Sequence, residues 1–198
     1  MTTAPRGRAQ LLLIAAVFLV PLAAAAWLYY GGQGLQPEGR TNAGRLLQPI
    51  INVNDELAAL EQTPGTLVDL TDSASEGNWV LVYRNPGACA EDCEDALYRM
   101  RQSRLMLGRD MTRLVRVFLH GDIAPDKVRL ETEHEGLVTI SNRGLDGVLD
   151  RKRPADLAPG GLYLIDPLGN LVMYFTAELT PEAMVEDIEH LLDLSRIG

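Results

Sequence analysis

The sequence is poor in the residue types that build metal clusters and catalytic triads. Its 198 residues include only two cysteines, Cys89 and Cys93, and only three histidines, His120, His134 and His190. It contains no recognisable Ser-His-Asp set, phosphate-binding loop or zinc-spaced cysteine cluster, and no internal repeat or low-complexity segment. The cysteine pair is therefore the main candidate for chemistry.

Basic residues are also in deficit. The chain has 18 Lys and Arg against 27 Asp and Glu, which gives a net charge of −9. Because nucleic-acid binding depends on clustered basic residues, this balance argues against a nucleic-acid partner. An acidic surface suits a cationic partner or a metal ion, although it often serves only solubility. The remaining composition, 46% hydrophobic and 23% charged, is typical of one globular domain with an appendage.

Charge is entirely missing from Leu11 to Tyr30, a run of twenty residues that is long enough to cross a bilayer. Arg6 and Arg8 precede it, which predicts a cytoplasmic N-terminus and an exported remainder. Aromatic residues at its far end suit the membrane interface, and we favour an uncleaved single-pass anchor in the cell inner membrane. A cleaved signal peptide is the alternative, since residues 23–26 are all alanine.

These features predict four segments. Residues 1–10 form a cytoplasmic N-terminus, 11–30 the anchor, 31–44 a glycine-containing flexible tether, and 45–198 a periplasmic domain. An exported domain lies in an oxidising compartment, where two cysteines readily form a disulfide.

The cysteines lie where a strand gives way to a helix. An apolar run begins at Trp79, the breakers Pro86 and Gly87 follow, and a helical segment starts near Ala90. Helical residues four apart place their Cβ atoms about 5–6 Å from each other, whereas a disulfide prefers about 3.8 Å. A bridge therefore requires a distorted first turn or a Cys89 outside the helix, and a metal held between the sulfurs requires less distortion. The alternatives are a redox pair, a metal site, a structural disulfide or two inert buried thiols.

Local charges act on this pair in opposite directions. The positive end of the helix dipole favours a thiolate at the N-terminus. Four nearby carboxylates disfavour additional negative charge, those of Glu91, Asp92, Glu94 and Asp95. We expect moderately activated thiols.

The order of elements along the chain predicts an α/β fold. Apolar runs predict strands at 50–53, 66–70, 114–119, 137–140, 162–165 and 171–175. Helical patterns cover 90–108 and 125–135, and Thr180 and Pro181 open a last helix. The charged segment 143–157 is expected to wrap the surface. This order predicts a thioredoxin-like central mixed sheet flanked by helices, with the working site at the carboxyl ends of its parallel strands.

Three segments carry a family resemblance: WVLVYRNPGACAEDCEDALYRMRQ, LVRVFLHGD and GGLYLIDPLGNLVMYF. Over residues 45–195 the chain resembles the Sco/SenC proteins, membrane-anchored thioredoxin-like factors of cytochrome c oxidase assembly. The resemblance implies that Cys89 and Cys93 act with a distal histidine in binding copper. It also implies delivery of copper to the oxidase, or reduction of its cysteine ligands, with a respiratory oxidase subunit or its assembly factors as the partner.

The sequence departs from that family at two points. The family's histidine falls just before the strand at 162–165, where this chain has no histidine at 157–161, and no proline stands between the cysteines. We therefore expect a divergent relative that keeps the redox pair. His120, at a strand end on the same sheet edge, is a candidate third ligand for a cuprous ion, or an ordinary hydrogen-bonded residue. His134 and His190 are interpreted as surface residues.

Other residues near the pair have more than one interpretation. Pro159 is a candidate for the cis-proline that thioredoxin-like proteins hold opposite their cysteines. Arg84 and Asn85 are candidates for partner contact, and Arg84 alternatively offsets the nearby carboxylates. Asp122 is interpreted as a turn residue.

Three functions follow from these readings. In a thiol–disulfide oxidoreductase, an exposed Cys89 attacks a partner disulfide and Cys93 resolves the mixed disulfide. In a copper chaperone, Cys89, Cys93 and His120 hold the metal. In a non-catalytic assembly factor, the domain only docks on an oxidase subunit. We favour the first.

Overall fold

The computed structural model describes residues 5–31, 42–61 and 78–195, which fall into two compact units, 1–41 and 42–198. The first unit contains helix α1 (Pro5–Gly31). Its window Ala9–Trp27 has a mean hydropathy of 2.3 and is long and apolar enough to cross a membrane. The predicted strand at 66–70 and most of the predicted tether at 31–44 lie outside the described residues.

The second unit is built on a mixed sheet of six strands. Their bounds are β1 (Arg45–Asn52), β2 (Trp79–Asn85), β3 (Leu114–His120), β4 (Leu137–Ile140), β5 (Leu162–Ile165) and β6 (Asn170–Phe175). The spatial order is β1-β6-β5-β2-β3-β4. Strands β2, β3 and β4 are parallel, while β5, β6 and β1 pair antiparallel. The predicted thioredoxin-like mixed sheet is confirmed.

Helices pack on both faces of this sheet. Their bounds are α2 (Asn54–Glu61), α3 (Glu91–Met106), a 3-10 helix (Gly108–Arg113), α4 (Lys127–Glu133), α5 (Arg143–Lys152) and α6 (Pro181–Leu194). Alternate residues of β2 divide between two core clusters, with Leu81 and Tyr83 in the cluster that includes residues of α3 and α6. Val80 and Val82 face the second cluster, which includes residues of α2 and α5. The strand before the cysteines is therefore buried on both faces, which gives the site a rigid support.

Segment 143–157 was expected to wrap the surface, and that expectation was wrong for its first part. Asn142 caps α5 there by accepting a hydrogen bond from the Leu145 backbone N–H at 2.9 Å. Leu145 and Leu149 are fully buried and lie one helical turn apart. The two apolar residues outweigh the helix-weakening effect of Gly144 and Gly147.

A buried carboxylate on α6 fixes the start of the domain. Asp187 accepts hydrogen bonds from the backbone N–H groups of Ala43 at 3.2 Å and Gly44 at 2.7 Å. It has no salt-bridge partner among the described residues, so backbone amides supply its stabilisation. The sequence pattern gave no sign of this role, because an Asp in a polar helix usually faces solvent.

Candidate redox site

Cys89 and Cys93 are joined by a disulfide at the carboxyl end of β2. Helix α3 begins at Glu91 with Ala90 as its N-cap, so Cys89 lies outside the helix and Cys93 in its first turn. The Cα atoms are 5.1 Å apart, within the usual range of about 4.4–6.8 Å. Of the two arrangements that permit a bridge, the chain adopts the one with Cys89 outside the helix.

The two sulfurs have different surroundings. Cys93 is 2% exposed and belongs to the core cluster under α3, while Cys89 is partly buried and packs against the edge of that cluster. A partner therefore has better access to Cys89. The expectation of an exposed Cys89 is met only in part, since its side chain is half-buried.

The loop that carries Cys89 is held by hydrogen bonds from the side chain and the backbone of Asn85. Asn85 accepts a hydrogen bond from the Gly87 N–H at 3.0 Å and donates to the Ala88 carbonyl at 3.3 Å. Gly121, after β3, donates its N–H to the Asn85 carbonyl at 3.1 Å. A Cβ at Gly121 would overlap the Pro86 carbonyl, so only glycine permits this close approach.

A groove of about 320 Å³ lies on the Cys93 side of the disulfide. Its walls are the end of β2, the cysteine loop and the segment Pro159–Gly161. Tyr174 closes its base, where its hydroxyl accepts from the Gly161 N–H at 3.0 Å and donates to the Ala158 carbonyl at 2.7 Å. Burial raises the pKa of Tyr83 and Tyr174, which keeps both phenols neutral.

A smaller recess of about 90 Å³ lies on the Cys89 side, between α3 and α4. We call it the Cys89 recess. Its apolar lining comes from Leu97, Pro125 and Leu130 together with Cys89 itself. Its polar lining comes from Glu94, Asp126, Arg129, Glu133 and His134.

Arg129 connects the two helices across this recess. Its Nη1 donates to Glu94 Oε1 at 2.7 Å, and its Nε donates to Glu133 at 3.2 Å. The hydrogen bond from Arg129 lowers the pKa of Glu94. The first turn of the cysteine helix is thereby tied to α4, a short helix with no buried residue of its own.

His134 was interpreted as a surface residue, and the structure corrects that interpretation. It is 8% exposed, and its Nδ1 has no hydrogen-bond partner among the described residues. Burial lowers its pKa, and the nearby charge of Arg116 lowers it further. Arg116 is 2% exposed, and burial lowers its own pKa to about 10. His190 is exposed, as expected.

The structure places the remaining predicted site residues as follows. Arg84 forms its ion pairs with Asp146 and Asp150 of α5 and not with the carboxylates beside the cysteines. Pro159 lines the groove opposite the pair but is not preceded by a cis bond, since the one cis peptide bond in the described residues is Gln48–Pro49. Exposed Asp122 pairs with Arg143 at 3.3 Å.

His120 ends β3 directly beside Asn85 of β2, at the sheet edge where it was expected. Its Nδ1 lies 2.7 Å from the Gly121 carbonyl, which is a local hydrogen bond. Across the described part of the chain, no three His, Cys, Asp or Glu side chains are grouped in a way that could hold a metal ion. In the disulfide form the pair offers no thiolate to a copper ion, and the ligand set of Cys89, Cys93 and His120 stays a prediction.

The fold and site together define a thioredoxin-like domain with a cysteine pair at a helix N-terminus, in a chain that also carries an apolar helix. A family model described as "Transmembrane-like, thioredoxin-like, C-terminal domain" matches residues 79–195. Its companion, "Transmembrane-like, N-terminal domain", matches residues 3–32. The chain belongs to this transmembrane-like, thioredoxin-like family.

Solved structures of Sco proteins are among those to which the chain is similar. Copper-bound yeast Sco1 is 19% identical with a TM-score of 0.49, and the match covers 62% of this chain and 80% of that one. Copper-bound ScoI of Bradyrhizobium japonicum is 18% identical with a TM-score of 0.46, covering 74% and 98%.

A third solved structure is the thioredoxin domain of a thiol-disulfide oxidoreductase from Bacteroides vulgatus. It is 16% identical with a TM-score of 0.40, covering 62% of this chain and 83% of that one. No curated protein matches the sequence significantly.

Proposed function

We propose that this protein is a membrane-anchored thiol–disulfide oxidoreductase that acts on a protein partner through Cys89 and Cys93. The observation that carries the proposal is the unequal placement of the two sulfurs, with Cys93 in the core and Cys89 partly buried and lining a recess. A purely structural disulfide has no need of this asymmetry or of flanking cavities.

The proposed reaction transfers two electrons from the reduced pair to a partner disulfide. The Cys89 thiolate attacks one partner sulfur, forms a mixed disulfide and expels the other partner sulfur as a thiolate, which takes a proton from water. The Cys93 thiolate then attacks Cys89 Sγ, closes the intramolecular disulfide and releases the second partner thiolate. The partner is reduced and the protein is oxidised to the form that the structure contains. Further turnover requires an external dithiol as reductant.

The proposed cellular setting follows from the Sco/SenC resemblance. We place the domain in the periplasm, anchored to the inner membrane by α1, with a respiratory oxidase subunit or one of its assembly factors as the partner. Copper delivery gains no support from the folded donor set, so we propose redox chemistry ahead of metal carriage.

The test is trapping of the mixed disulfide by the full chain in its native membrane. The Cys93→Ser variant keeps Cys89 as the nucleophile but lacks the thiol that resolves the mixed disulfide. A covalent adduct that is sensitive to dithiothreitol should therefore accumulate and be seen on non-reducing gels. Cys89→Ser is the matched control and should trap far less. A wild-type pair that resists reduction by a thioredoxin-class dithiol would identify a structural disulfide instead.

A second measurement separates catalysis from docking. Replacement of both cysteines by serine should abolish partner reduction and impair oxidase assembly. Normal assembly in that double variant would favour the non-catalytic docking function.

A further inference from the structure

We propose that the groove on the Cys93 side of the disulfide is a specificity subsite for an aspartate or glutamate side chain near the reacting cysteine of the partner polypeptide. Arg153 and the Tyr83 hydroxyl are the groups that bind its carboxylate. The inference rests on the thiol–disulfide exchange proposed above and names the substrate class that this exchange favours. Cys93 itself lines this groove, so a side chain seated there belongs to a partner segment close to the reacting sulfurs.

Arg153 brings to the groove a positive charge that no carboxylate neutralises. It is the C-cap residue of α5, is half-buried and lines the groove. Its Nη1 donates to the Leu157 carbonyl, a neutral acceptor, and it forms no salt bridge within the part of the chain that the structure describes. Its other N–H groups are not among the polar atoms that the fold buries without a partner. A guanidinium with open N–H groups is a good binder of carboxylates.

The other charges of the groove wall leave this role to Arg153. Arg84 is already bound by Asp146 at 2.6 Å and by Asp150 at 3.0 Å. Among the described residues that line the groove, the one carboxylate is that of Asp92, which is exposed in the first turn of α3. Water and salt screen an exposed charge more strongly than a half-buried one. The groove therefore favours an anion at Arg153, although the chain as a whole has a net charge of −9.

The Tyr83 hydroxyl is an independent indication of a ligand. Tyr83 is 4% exposed and lines the groove, and its hydroxyl has no hydrogen-bond partner among the described residues. The fold does not seal this hydroxyl from solvent. Burial raises the pKa of Tyr83, and the charges of Asp92 and Tyr174, which both line the groove, raise it further. Polar groups of buried residues are normally hydrogen-bonded, and a neutral phenol can donate to a carboxylate.

The hydroxyls of the two other tyrosines in the groove are already used. That of Tyr174 makes the two backbone hydrogen bonds described above, and that of Tyr163 donates to the Leu149 carbonyl at 2.9 Å. Burial raises the pKa of Tyr174, while the hydrogen bond that its hydroxyl accepts and the charge of Arg153 oppose that rise. Arg153 and Tyr83 thus lie within electrostatic range of the same phenol, so one carboxylate can contact both.

The experiment compares matched peptides with the reduced full-length protein in non-ionic detergent. Each peptide is blocked at both ends and carries one cysteine as a 2-thiopyridyl disulfide, with glutamate or glutamine one or two residues before or after it. The Cys89 thiolate attacks the peptide sulfur and expels 2-thiopyridone, whose release reports the second-order rate constant. Cys93 then closes the intramolecular disulfide and releases the peptide thiol. At the best placement, the glutamate peptide should react about fivefold faster than its glutamine counterpart, the effect of one favourable ion pair.

Four variants locate the effect. Arg153→Gln should bring the glutamate-to-glutamine ratio to one or below, because the acidic chain then repels the glutamate peptide, and Arg153→Lys should keep part of the preference. Tyr83→Phe, which removes only the hydroxyl, should lower the ratio. Arg151→Gln, at an exposed residue of the same helix outside the groove, should keep the wild-type ratio. The glutamine peptide should react at the same rate with every variant, which reports intact thiol chemistry.

The outcomes separate the subsite from the redox function. Equal rates for glutamate and glutamine peptides at every placement would overturn the subsite and leave the redox function standing. A glutamate preference that survives Arg153→Gln unchanged would also overturn the subsite, since the charge then acts from elsewhere. Failure of every peptide to react would overturn the redox function and the subsite together.

Discussion

The imidazole of His134 is buried in the folded domain and is shielded from water. Burial disfavours its charged form, and the buried Arg116 guanidinium beside it acts in the same direction. The pKa of His134 in the folded chain is therefore below its ordinary value of about 6.5 in an unfolded chain. Protonation of this residue must favour unfolding.

The consequence is a pH dependence with a definite sign. As the pH falls through about 6.5, the unfolded chain takes up a proton at this residue that the folded chain does not, so the free energy of unfolding decreases. Urea unfolding of the full chain in detergent, followed by circular dichroism from pH 8 to pH 5, should show this loss. His134→Gln should have a shallower pH dependence, and the exposed His190→Gln should behave as wild type. Identical curves for the wild type and His134→Gln would contradict the assignment.

The sequence identified some site residues because they are rare and missed others because their types are common. The only two cysteines of the chain lie in a single strand-to-helix segment, which marks them as candidate site residues. His134 stands among Glu131, Glu133 and Glu135, a pattern typical of a solvated helix, and its burial comes from packing that no local pattern encodes. Arg129 gave no sequence signal either, since its role depends on α3 and α4 meeting across the recess.

Among the elements, α5 is attached to the end of β2 by an ion pair. Arg84 Nε donates to Asp146 Oδ1 at 2.6 Å and Nη2 donates to Oδ2 at 3.1 Å, with side-chain exposures of 16% and 31%. Partly buried two-point pairs of this kind are stronger than exposed ones, because the geometry is fixed and solvent screens less. The pair holds α5 against the strand that leads to the cysteines.

A double-mutant cycle tests this attachment. Arg84→Met, Asp146→Ala and the double variant should give a coupling energy of about 1–2 kcal/mol in unfolding measurements. The control is the Arg143–Asp122 pair, whose side chains are 91% and 86% exposed and should couple by no more than about 0.5 kcal/mol. Equal coupling energies in both cycles would show that partial burial of Arg84 does not strengthen its ion pair with Asp146.

Element types followed from apolar periodicity wherever a segment had one. The strands around Leu114 and Leu162 and the helix at Pro181 lie close to where the pattern placed them. Helix α5 was missed because ten residues with two glycines and five charged side chains leave only a short apolar stripe. So short a stripe indicates a helix only when the sheet face against which it packs is known.

At the scale of the whole molecule, α1 and the thioredoxin-like domain are separate compact units with opposite solvent preferences. The window Ala9–Trp27 has large apolar side chains that are exposed throughout, and 0% of it is buried within the protein. Transfer of an isolated helix of this composition from water into a bilayer lowers its free energy, because each apolar side chain leaves water. Length and composition alone fit both an anchor and a cleaved signal sequence.

The anchored arrangement predicts what remains in the membrane and which side the domain faces. The full chain, expressed in a bacterium with two membranes, should stay in the inner-membrane fraction after alkaline carbonate washing and should retain its original N-terminus. Protease added to spheroplasts should digest the domain, because Arg6 and Arg8 keep the short N-terminal segment in the cytoplasm.

Charge reversal by Arg6→Glu and Arg8→Glu should lower the digested fraction, whereas Arg109→Glu and Arg151→Glu in the domain should not, since residues far from the membrane contribute little to orientation. A soluble periplasmic protein whose N-terminus lies just after the alanines at 23–26 would identify the helix as a signal peptide and remove the membrane tether from the proposed function.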